Sequence, residues 1–256
     1  MKTSFCNSRG YGLSLAVALV AVAAPGFASA DALLFNTPLA GPGFYNGTGN
    51  QNLGFTTLTT SNEIELGLGV QTRGIGGAFL PTPGTANYFV PTGGTTTPLR
   101  SLWNYDFSVN LGTSSHLTLQ DIQLGTTITV LDTTTGKQIS YHPLVIISDN
   151  AGFDGATTTN GSTGGAPLTD IGFQNSENLG FNLDSAHNAA FAFNPFASDS
   201  YLITLEVTES SGTTLNLSET VNAVPLHSSW QLNLIGLAGI GFLAYRRKSK
   251  PALMAA

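Results

Sequence analysis

The residue types that most often carry out catalysis are few in this chain and lie far apart in sequence. Its 256 residues include four histidines, none of which is spaced from another metal-binding side chain as a zinc site requires. The only cysteine, Cys6, precedes the apolar N-terminal run. No nucleophile elbow, P-loop or dinucleotide-binding fingerprint occurs either. We therefore expect a protein that is not an enzyme, although catalytic groups brought together only by folding leave no such motif.

One pair of carboxylates has a spacing that chemistry could use. Glu63 and Glu65 are two residues apart, so on a β-strand both side chains would point to the same face. Two carboxylic acids in such an arrangement could act as the acid and base of a glycosidase. Their neighbours Ile64 and Leu66 are apolar and would form the opposite, buried face. We favour the simpler interpretation, in which the two glutamates lie on a solvated face of a strand.

A glycine-rich stretch that begins at residue 149 is a candidate calcium site. Asp149, Asn150 and Asp154 supply oxygen ligands of the kind that Ca²⁺ binds, and Gly155 follows them. Their spacing differs from that of an EF-hand loop. Asp and Asn are also common in turns, because their side chains hydrogen-bond to the nearby backbone. We expect no other cofactor.

Aromatic side chains are the candidates for stacking on sugar rings. Trp103, Tyr105 and Tyr88 are the rings that a carbohydrate-binding β-sandwich could present to a glycan. Trp103 and Tyr105, however, share one alternating face with Phe107 and Val109. A place in the hydrophobic core therefore explains these two rings more simply than sugar binding does.

The elements that must position these residues are β-strands. The dipeptides Thr135-Gly136 and Ser211-Gly212 would provide hairpin turns between strands. No segment of residues 31–222 shows a helical period over ten residues. The sequence predicts an all-β chain that forms one β-sandwich, immunoglobulin-like or jelly-roll-like. Apolar and polar residues alternate in six segments, which are 64–70, 103–111, 126–132, 137–141, 201–207 and 215–221.

Two further segments are predicted to be long loops rich in glycine, threonine and proline. Residues 79–98 contain four prolines, and residues 149–166 contain five glycines. Long loops on a rigid sandwich are places where binding sites often lie.

Charge is sparse and unevenly distributed. Charged residues make up 9% of the chain, against about 25% in an ordinary soluble domain. Residues 31–222 hold all fifteen acidic residues but only three basic ones, Arg73, Arg100 and Lys137, which gives this part a formal charge of −12. Such an acidic body repels a phosphate backbone and has no basic patch to bind one. We therefore expect no nucleic-acid partner.

The N-terminus has the three parts of a secretory signal peptide. Two basic residues precede an apolar run over residues 13–24, and the small residues Ala28 and Ala30 then form a cleavage site before Asp31. We expect residues 1–30 to be the signal peptide, with cleavage after Ala30 and export through the Sec translocon. The mature chain would then contain no thiol.

The C-terminus has the pattern of a membrane helix. Residues 230–245 are apolar and glycine-rich, carry an aromatic residue at each end, and lead directly into Arg246, Arg247 and Lys248. Aromatic belts and a basic cytoplasmic flank, here residues 246–250, fix the depth and orientation of such a helix. Sixteen residues are slightly fewer than the ~17–25 that a bilayer core requires. This length suits a transient inner-membrane anchor better than a permanent one.

Three features in series resemble the PEP-CTERM sorting tail of Gram-negative bacteria. They are Val224-Pro225-Leu226, the apolar segment and the terminal basic cluster, which together span residues 223–250. Two details depart from the family pattern: Pro225-Leu226-His227 replaces the Pro-Glu-Pro core, and the chain continues past the basic cluster. The resemblance implies that residues 223–256 are recognised by an exosortase, a membrane cysteine protease that releases or transfers secreted proteins destined for exopolysaccharide. An ordinary single-pass tail anchor is the alternative.

Together these features predict an exported protein with residues 31–222 as its folded domain. It would be anchored transiently in the inner membrane, sorted by the exosortase and delivered to the cell surface or to an exopolysaccharide or biofilm matrix. There it would act without catalysis, on a ligand that the sequence does not identify. The alternative is a carbohydrate-binding or carbohydrate-degrading β-sandwich displayed on the surface.

Overall fold

The computed structural model describes residues 31–44, 51–74, 76–155, 165–181 and 191–225. These residues form fourteen β-strands and two four-residue helices, α1 (Leu119–Ile122) and α2 (Pro143–Ile146), which confirms the predicted all-β class. The strands are β1 (Ala32–Thr37), β2 (Phe55–Thr59), β3 (Glu65–Thr72), β4 (Ala78–Phe79), β5 (Asn87–Pro91), β6 (Gly94–Thr96), β7 (Leu99–Ser101), β8 (Trp103–Asn110), β9 (Thr126–Asp132), β10 (Gln138–Tyr141), β11 (Ala151–Phe153), β12 (Gly172–Glu177), β13 (Asp199–Thr208) and β14 (Thr214–Val224).

The predicted signal peptide and most of the predicted tail lie outside the described residues. This holds for Ala28 and Ala30 at the cleavage site, for Leu226, and for the whole of 230–245. It also holds for the basic flank, which consists of Arg246, Arg247 and Lys248 and the residues up to 250.

The strands form two sheets that share one core. Sheet A has the order β1-β2-β3-β8-β12-β11, with β4 added beside β3, and sheet B has the order β10-β9-β13-β14-β5. Strands β6 and β7 form a separate hairpin. The inner faces of both sheets contribute to a single cluster of buried apolar side chains. Trp103 of sheet A packs against Tyr201 of sheet B, with 5.9 Å between the ring centroids.

The alternating segments of the sequence are strands in the structure. They correspond to β3, β8, β9, β10, β13 and β14, and the hairpins β9–β10 and β13–β14 are antiparallel as predicted. Gly136 and Gly212 have positive φ, at +73° and +90°, in the two predicted turns. Glycine adopts this conformation without the steric cost that a Cβ would bring.

The prediction that residues 79–98 form a loop is wrong, because this segment contains β5 and β6. Strand β5 lies at the edge of sheet B and pairs with β14 in parallel. Its buried side chains are Tyr88 and Val90, whereas Phe89 between them is exposed. Five residues of alternation bounded by prolines are too short a signal to distinguish an edge strand from a loop. The other predicted loop, 149–166, begins with β11, and its residues 156–164 lie outside the described part of the chain.

Strands β3 and β8 are buried on both faces, although the alternation predicts one solvated face. Their outer face, which points away from sheet B, is covered by residues 38–44 and by the ring of Phe55. Phe55 lies over Gly69, where a Cβ would come within 2.9 Å of the ring, and Leu39 lies over Gly67. The glycines thus leave space for the covering side chains. Leu39, Phe44 and Phe55 form a second, smaller apolar cluster above a polar layer of sheet A.

Candidate functional site

A cavity of about 380 Å³ lies on the outer face of sheet A, beside the β2–β3 turn and the end of β8. Four parts of the chain form its walls. They are residues 38–44, which cover the outer face, the β2–β3 turn, β8 with the loop that follows it, and the β11–β12 pair. Its lining residues are Ala40, Gly41, Pro42, Thr59, Thr60, Glu63, Glu65, Asn110, Gly112, Thr113, Phe153, Gly155 and Ile171.

The register of sheet A places several of these residues in one transverse row. Thr59 is opposite Glu65, Glu65 is opposite Asn110, and Asn110 is opposite Gly172. Gly172 is in turn opposite Phe153 on the edge strand β11. Directly opposite residues have Cβ atoms about 4.5–5.5 Å apart and share a face of the sheet. The row therefore sets a hydroxyl, a carboxyl, a carboxamide and an aromatic ring side by side.

Glu65 forms the buried acidic part of the cavity and is only 6% exposed. The backbone N–H of Ala40 donates to its carboxyl group, at 3.0 Å from Oε1 and 3.3 Å from Oε2. Burial raises the pKa of the Glu65 carboxyl above its usual value, and the hydrogen bond from Ala40 opposes this rise in part.

Glu63 lines the same cavity but lies in the β2–β3 turn rather than in a strand. Its φ of +66° is a turn conformation, and its N–H donates to the carbonyl of Thr60 at 3.1 Å. The Ser114 hydroxyl donates to Glu63 Oε2 at 2.6 Å. The side chain of Glu63 is exposed as predicted, but it lies in a turn and not on a strand face. The predicted solvated face is wrong for Glu65, because residues 38–44 cover its side chain.

Two glycines with positive φ hold Asn110 in place. A Cβ on Gly41 (φ +68°) would come within 3.0 Å of Asn110 Nδ2. The N–H of Gly112 donates to Asn110 Oδ1 at 3.0 Å, and a Cβ on Gly112 (φ +67°) would lie 2.8 Å from the carbonyl oxygen of Glu63. Larger residues at either position would therefore displace the carboxamide or the turn that carries Glu63.

The remaining wall of the cavity is apolar and uncharged. Phe153 is buried, and its ring lies on Gly172 where any Cβ would overlap it. Ile171 and Pro42 complete this wall. Among the residues that the structure describes, the lining contains two acidic residues and no basic residue, which gives this described lining a negative formal charge.

The candidate calcium ligands are only partly brought together. Asn175 Nδ2 donates to Oδ1 of both Asp149 and Asn150, at 3.0 and 3.2 Å. Asp154 lies beyond the opposite end of β11, between the cavity-lining residues Phe153 and Gly155. Oxygens that bind one Ca²⁺ all lie about 2.3–2.6 Å from it, which the intervening strand prevents for this trio. Within the described ranges, no group of three or more His, Cys, Asp or Glu side chains could hold a metal ion.

The three aromatic side chains proposed for sugar stacking lie in the core. Trp103 is 2% exposed, and Tyr105 and Tyr88 are fully buried. Tyr88 Oη donates to the carbonyl of Gly54 at 2.7 Å, and the hydroxyl of Tyr105 is hydrogen-bonded to that of Tyr141. None of the three rings presents a face to solvent, so they do not form a sugar-stacking surface. The core interpretation of Trp103 and Tyr105 agrees with their alternation on β8.

Two acidic residues are deeply buried, which the sequence analysis did not predict. Asp106 lies on the covered outer face of sheet A, and Glu219 lies on the inner face of β14; both are at most 1% exposed. Neither carboxyl has a well-formed hydrogen bond among the described residues. Burial raises the pKa of each well above its usual value. Glu219 could have been found, because it falls in phase with the apolar residues Leu217 and Val221.

The described end of the chain includes two residues of the predicted sorting motif. Val224 is the last residue of β14, and its carbonyl accepts a hydrogen bond from the N–H of Thr92 at 2.9 Å. Pro225 follows directly. At the other end, the exposed Asp31 immediately precedes β1. Within the ranges that the structure describes, no helix is long and apolar enough to cross a membrane.

Comparisons with protein-family models, with curated proteins and with solved structures gave no match to this chain. A functional conclusion therefore rests on its own residues and their arrangement.

Proposed function

We propose that this chain is an exported protein of the cell surface or the exopolysaccharide matrix, sorted through its C-terminal tail and without catalytic activity. The observation that carries the proposal is the order of the segments along the sequence. A signal-peptide pattern precedes a β-domain, and Val224-Pro225-Leu226, an apolar segment and a basic cluster follow it. The Sec translocon, the inner membrane and an exosortase would act on it in that sequence.

The position of the last strand supports this proposal. All fourteen described strands lie between Ala32 and Val224, so a cut after Pro225 removes none of them. Val224 itself is paired with Pro91 of β5. A protease binds its substrate in an extended, accessible form, and the residues up to Val224 are engaged in sheet B. Processing is therefore expected just beyond the strand rather than within it.

The outer surface of sheet B suits a hydrated polysaccharide matrix. Hydroxyl groups on adjacent strands hydrogen-bond across this face, including Thr129 to Ser140 and Thr204 to Ser218, both at 2.8 Å. Such a surface exchanges hydrogen bonds with water or with sugar hydroxyls and depends little on charge. This is consistent with a chain in which charged residues are only 9%.

Mass spectrometry of the mature protein from its native host tests the proposal. We expect an N-terminus at Asp31 and a C-terminus between Pro225 and Ser229. Replacing the basic flank, Arg246→Ala with Arg247→Ala, should leave unprocessed precursor in the inner membrane, because the flank orients the segment. Arg73→Ala, which removes a basic residue of the folded domain, is the matched control and should be processed normally.

An intact tail on the mature surface protein, in a host that has an exosortase, would contradict the sorting proposal. The ordinary single-pass anchor would then be the better account of residues 230–250.

A further inference from the structure

We infer that the cavity on the outer face of sheet A binds a neutral saccharide unit. This goes beyond the proposed sorting, because it concerns a ligand of the folded domain and does not depend on the tail. It also places sugar recognition at residues other than Trp103, Tyr105 and Tyr88.

The size and shape of the cavity fit a small ligand. Its volume of about 380 Å³ lies at the lower end of the roughly 300–1,000 Å³ of small-molecule sites. Its base is a rigid transverse row of sheet A, in which Thr59, Glu65 and Asn110 are consecutive neighbours. A site built on paired strands holds its polar groups at fixed separations, which favours a ligand with several polar groups of fixed geometry.

The polar groups of the row match a polyhydroxyl ligand. A hydroxyl such as that of Thr59 both donates and accepts, a carboxyl such as Glu65 offers several acceptor positions, and the carboxamide of Asn110 offers two N–H donors. Each hydroxyl of a sugar also donates one hydrogen bond and accepts others. Adjacent sugar hydroxyls could therefore bind the carboxyl and the carboxamide at the same time.

The charge of the lining excludes acidic ligands. Glu63 and Glu65 both face the cavity, and no basic residue of the described ranges lines it. The three basic residues of the folded domain lie elsewhere: Arg100 is over the Phe181 ring, and neither Arg73 nor Lys137 lines the cavity. A uronate, sulfate or phosphate would meet like charge at close range in a partly desolvated site, which is unfavourable. The ligand must therefore be neutral or positively charged.

The apolar wall distinguishes a sugar from a simple cation. Ile171 and Pro42, which are half-buried, present carbon surface to the cavity beside the polar row. A metal ion gains nothing from such a wall, whereas the C–H faces of a sugar ring pack against aromatic and aliphatic carbon. The combination of an acid, an amide and an apolar wall accordingly favours a saccharide over a divalent ion.

Titration of the full-length protein with single sugars, followed by the NMR signals of the Gly112 amide and the Asn110 carboxamide, tests the inference. The probes are glucose, galactose, mannose and N-acetylglucosamine, with glucuronic and galacturonic acids as acidic counterparts and CaCl₂ as a separate arm. We expect at least one neutral sugar to shift both signals saturably. The uronic acids should bind about tenfold more weakly or not at all.

Two variants separate binding from folding. Glu65→Gln keeps the size of the side chain but removes the carboxyl group, and should weaken sugar binding about tenfold. Ala40→Trp adds a large side chain at an exposed lining position while keeping the N–H that Glu65 accepts, and should abolish binding by filling the cavity. Glu206→Gln on the outer face of sheet B and Leu124→Trp at an exposed site are the matched controls and should bind normally.

The inference is overturned by any of three results: no neutral sugar binds, a uronic acid binds as well as its neutral counterpart, or binding persists in Ala40→Trp. Signals that respond to Ca²⁺ but not to sugars would also overturn it and would assign the cavity to a cation. These outcomes are independent of tail processing, so failure here leaves the sorting proposal intact.

Discussion

Glu65 on β3 and Asn110 on β8 lie directly opposite each other, and both side chains line one cavity. They are 45 positions apart in sequence, and only the antiparallel register of the two strands makes them neighbours. A slip of one residue in either strand would turn its side chain towards the core instead. The candidate site therefore depends on the same register that places Leu66 beside Val109 in the hydrophobic core.

The stability of the domain should decrease as the pH rises from about 5 to 9. Burial raises the pKa of the carboxyls of Glu65, Asp106 and Glu219, and raises that of Glu177 to about 8 with added repulsion from Asp149 and Asp106. In the unfolded chain these groups ionise near pH 4. Above that pH the folded state holds more protons than the unfolded state, so its stability is greatest in acid and falls as the pH rises through the folded pKa values. Melting temperatures across this range, at constant ionic strength, measure the effect, and a flat or rising profile would contradict it.

Glu219→Gln should stabilise the domain at high pH. The substitution keeps the size of a fully buried side chain but removes a group whose pKa burial raises well above its value in the unfolded chain. We therefore expect a gain in the free energy of unfolding at pH 8 and little change at pH 4. Urea denaturation at both pH values measures it. Glu206→Gln, an exposed change on β13, should have no such effect; an equal gain in that control would refute the argument.

Trp103→Ala should destabilise the protein without acting on the candidate site. Trp103 is buried between the sheets against Tyr201, so truncation leaves a core cavity and costs about 3–5 kcal/mol. Phe89→Ala removes an aromatic ring that is 59% exposed, and should change stability by only about 0.5 kcal/mol. Chemical denaturation compares the two. A stable Trp103→Ala variant that specifically lost glycan binding would show that the ring contacts a ligand after all.

Millimolar calcium should leave the melting temperature unchanged. A ligand that binds only the folded state raises its melting temperature, but Asp149 and Asp154 lie beyond opposite ends of β11 and cannot share one ion. One side-chain oxygen of Asp149 and the side-chain oxygen of Asn150 already accept hydrogen bonds from Asn175. A thermal shift that disappears in Asp149→Ala combined with Asp154→Ala would instead establish the calcium site predicted from sequence.

Strands with clear alternation could be predicted from sequence, and their partners could be predicted only within hairpins. The segment 126–132 coincides with β9, and the turn at Ser211-Gly212 joins β13 to β14. The parallel pairing of β5 with β14 involves residues more than 130 positions apart. Such a pairing leaves no local signal, because neither strand records in its own sequence which distant edge it meets.

The sequence by itself determined the all-β class, the inner face of each long strand, and the patterns at both ends on which export and sorting are proposed. These are properties of consecutive residues: a period of two, a turn dipeptide, or an apolar run with a basic flank. Only the tertiary structure decided that the polar face of β3 and β8 is covered by Leu39, Phe44 and Phe55, and hence that Glu65 and Asp106 are buried while Glu63 is exposed. Burial depends on which distant segment packs over a face, and alternation is the same whether a polar face meets water or another part of the chain. The cavity follows from that packing, so its acid, amide and aromatic ring come together only in the folded domain.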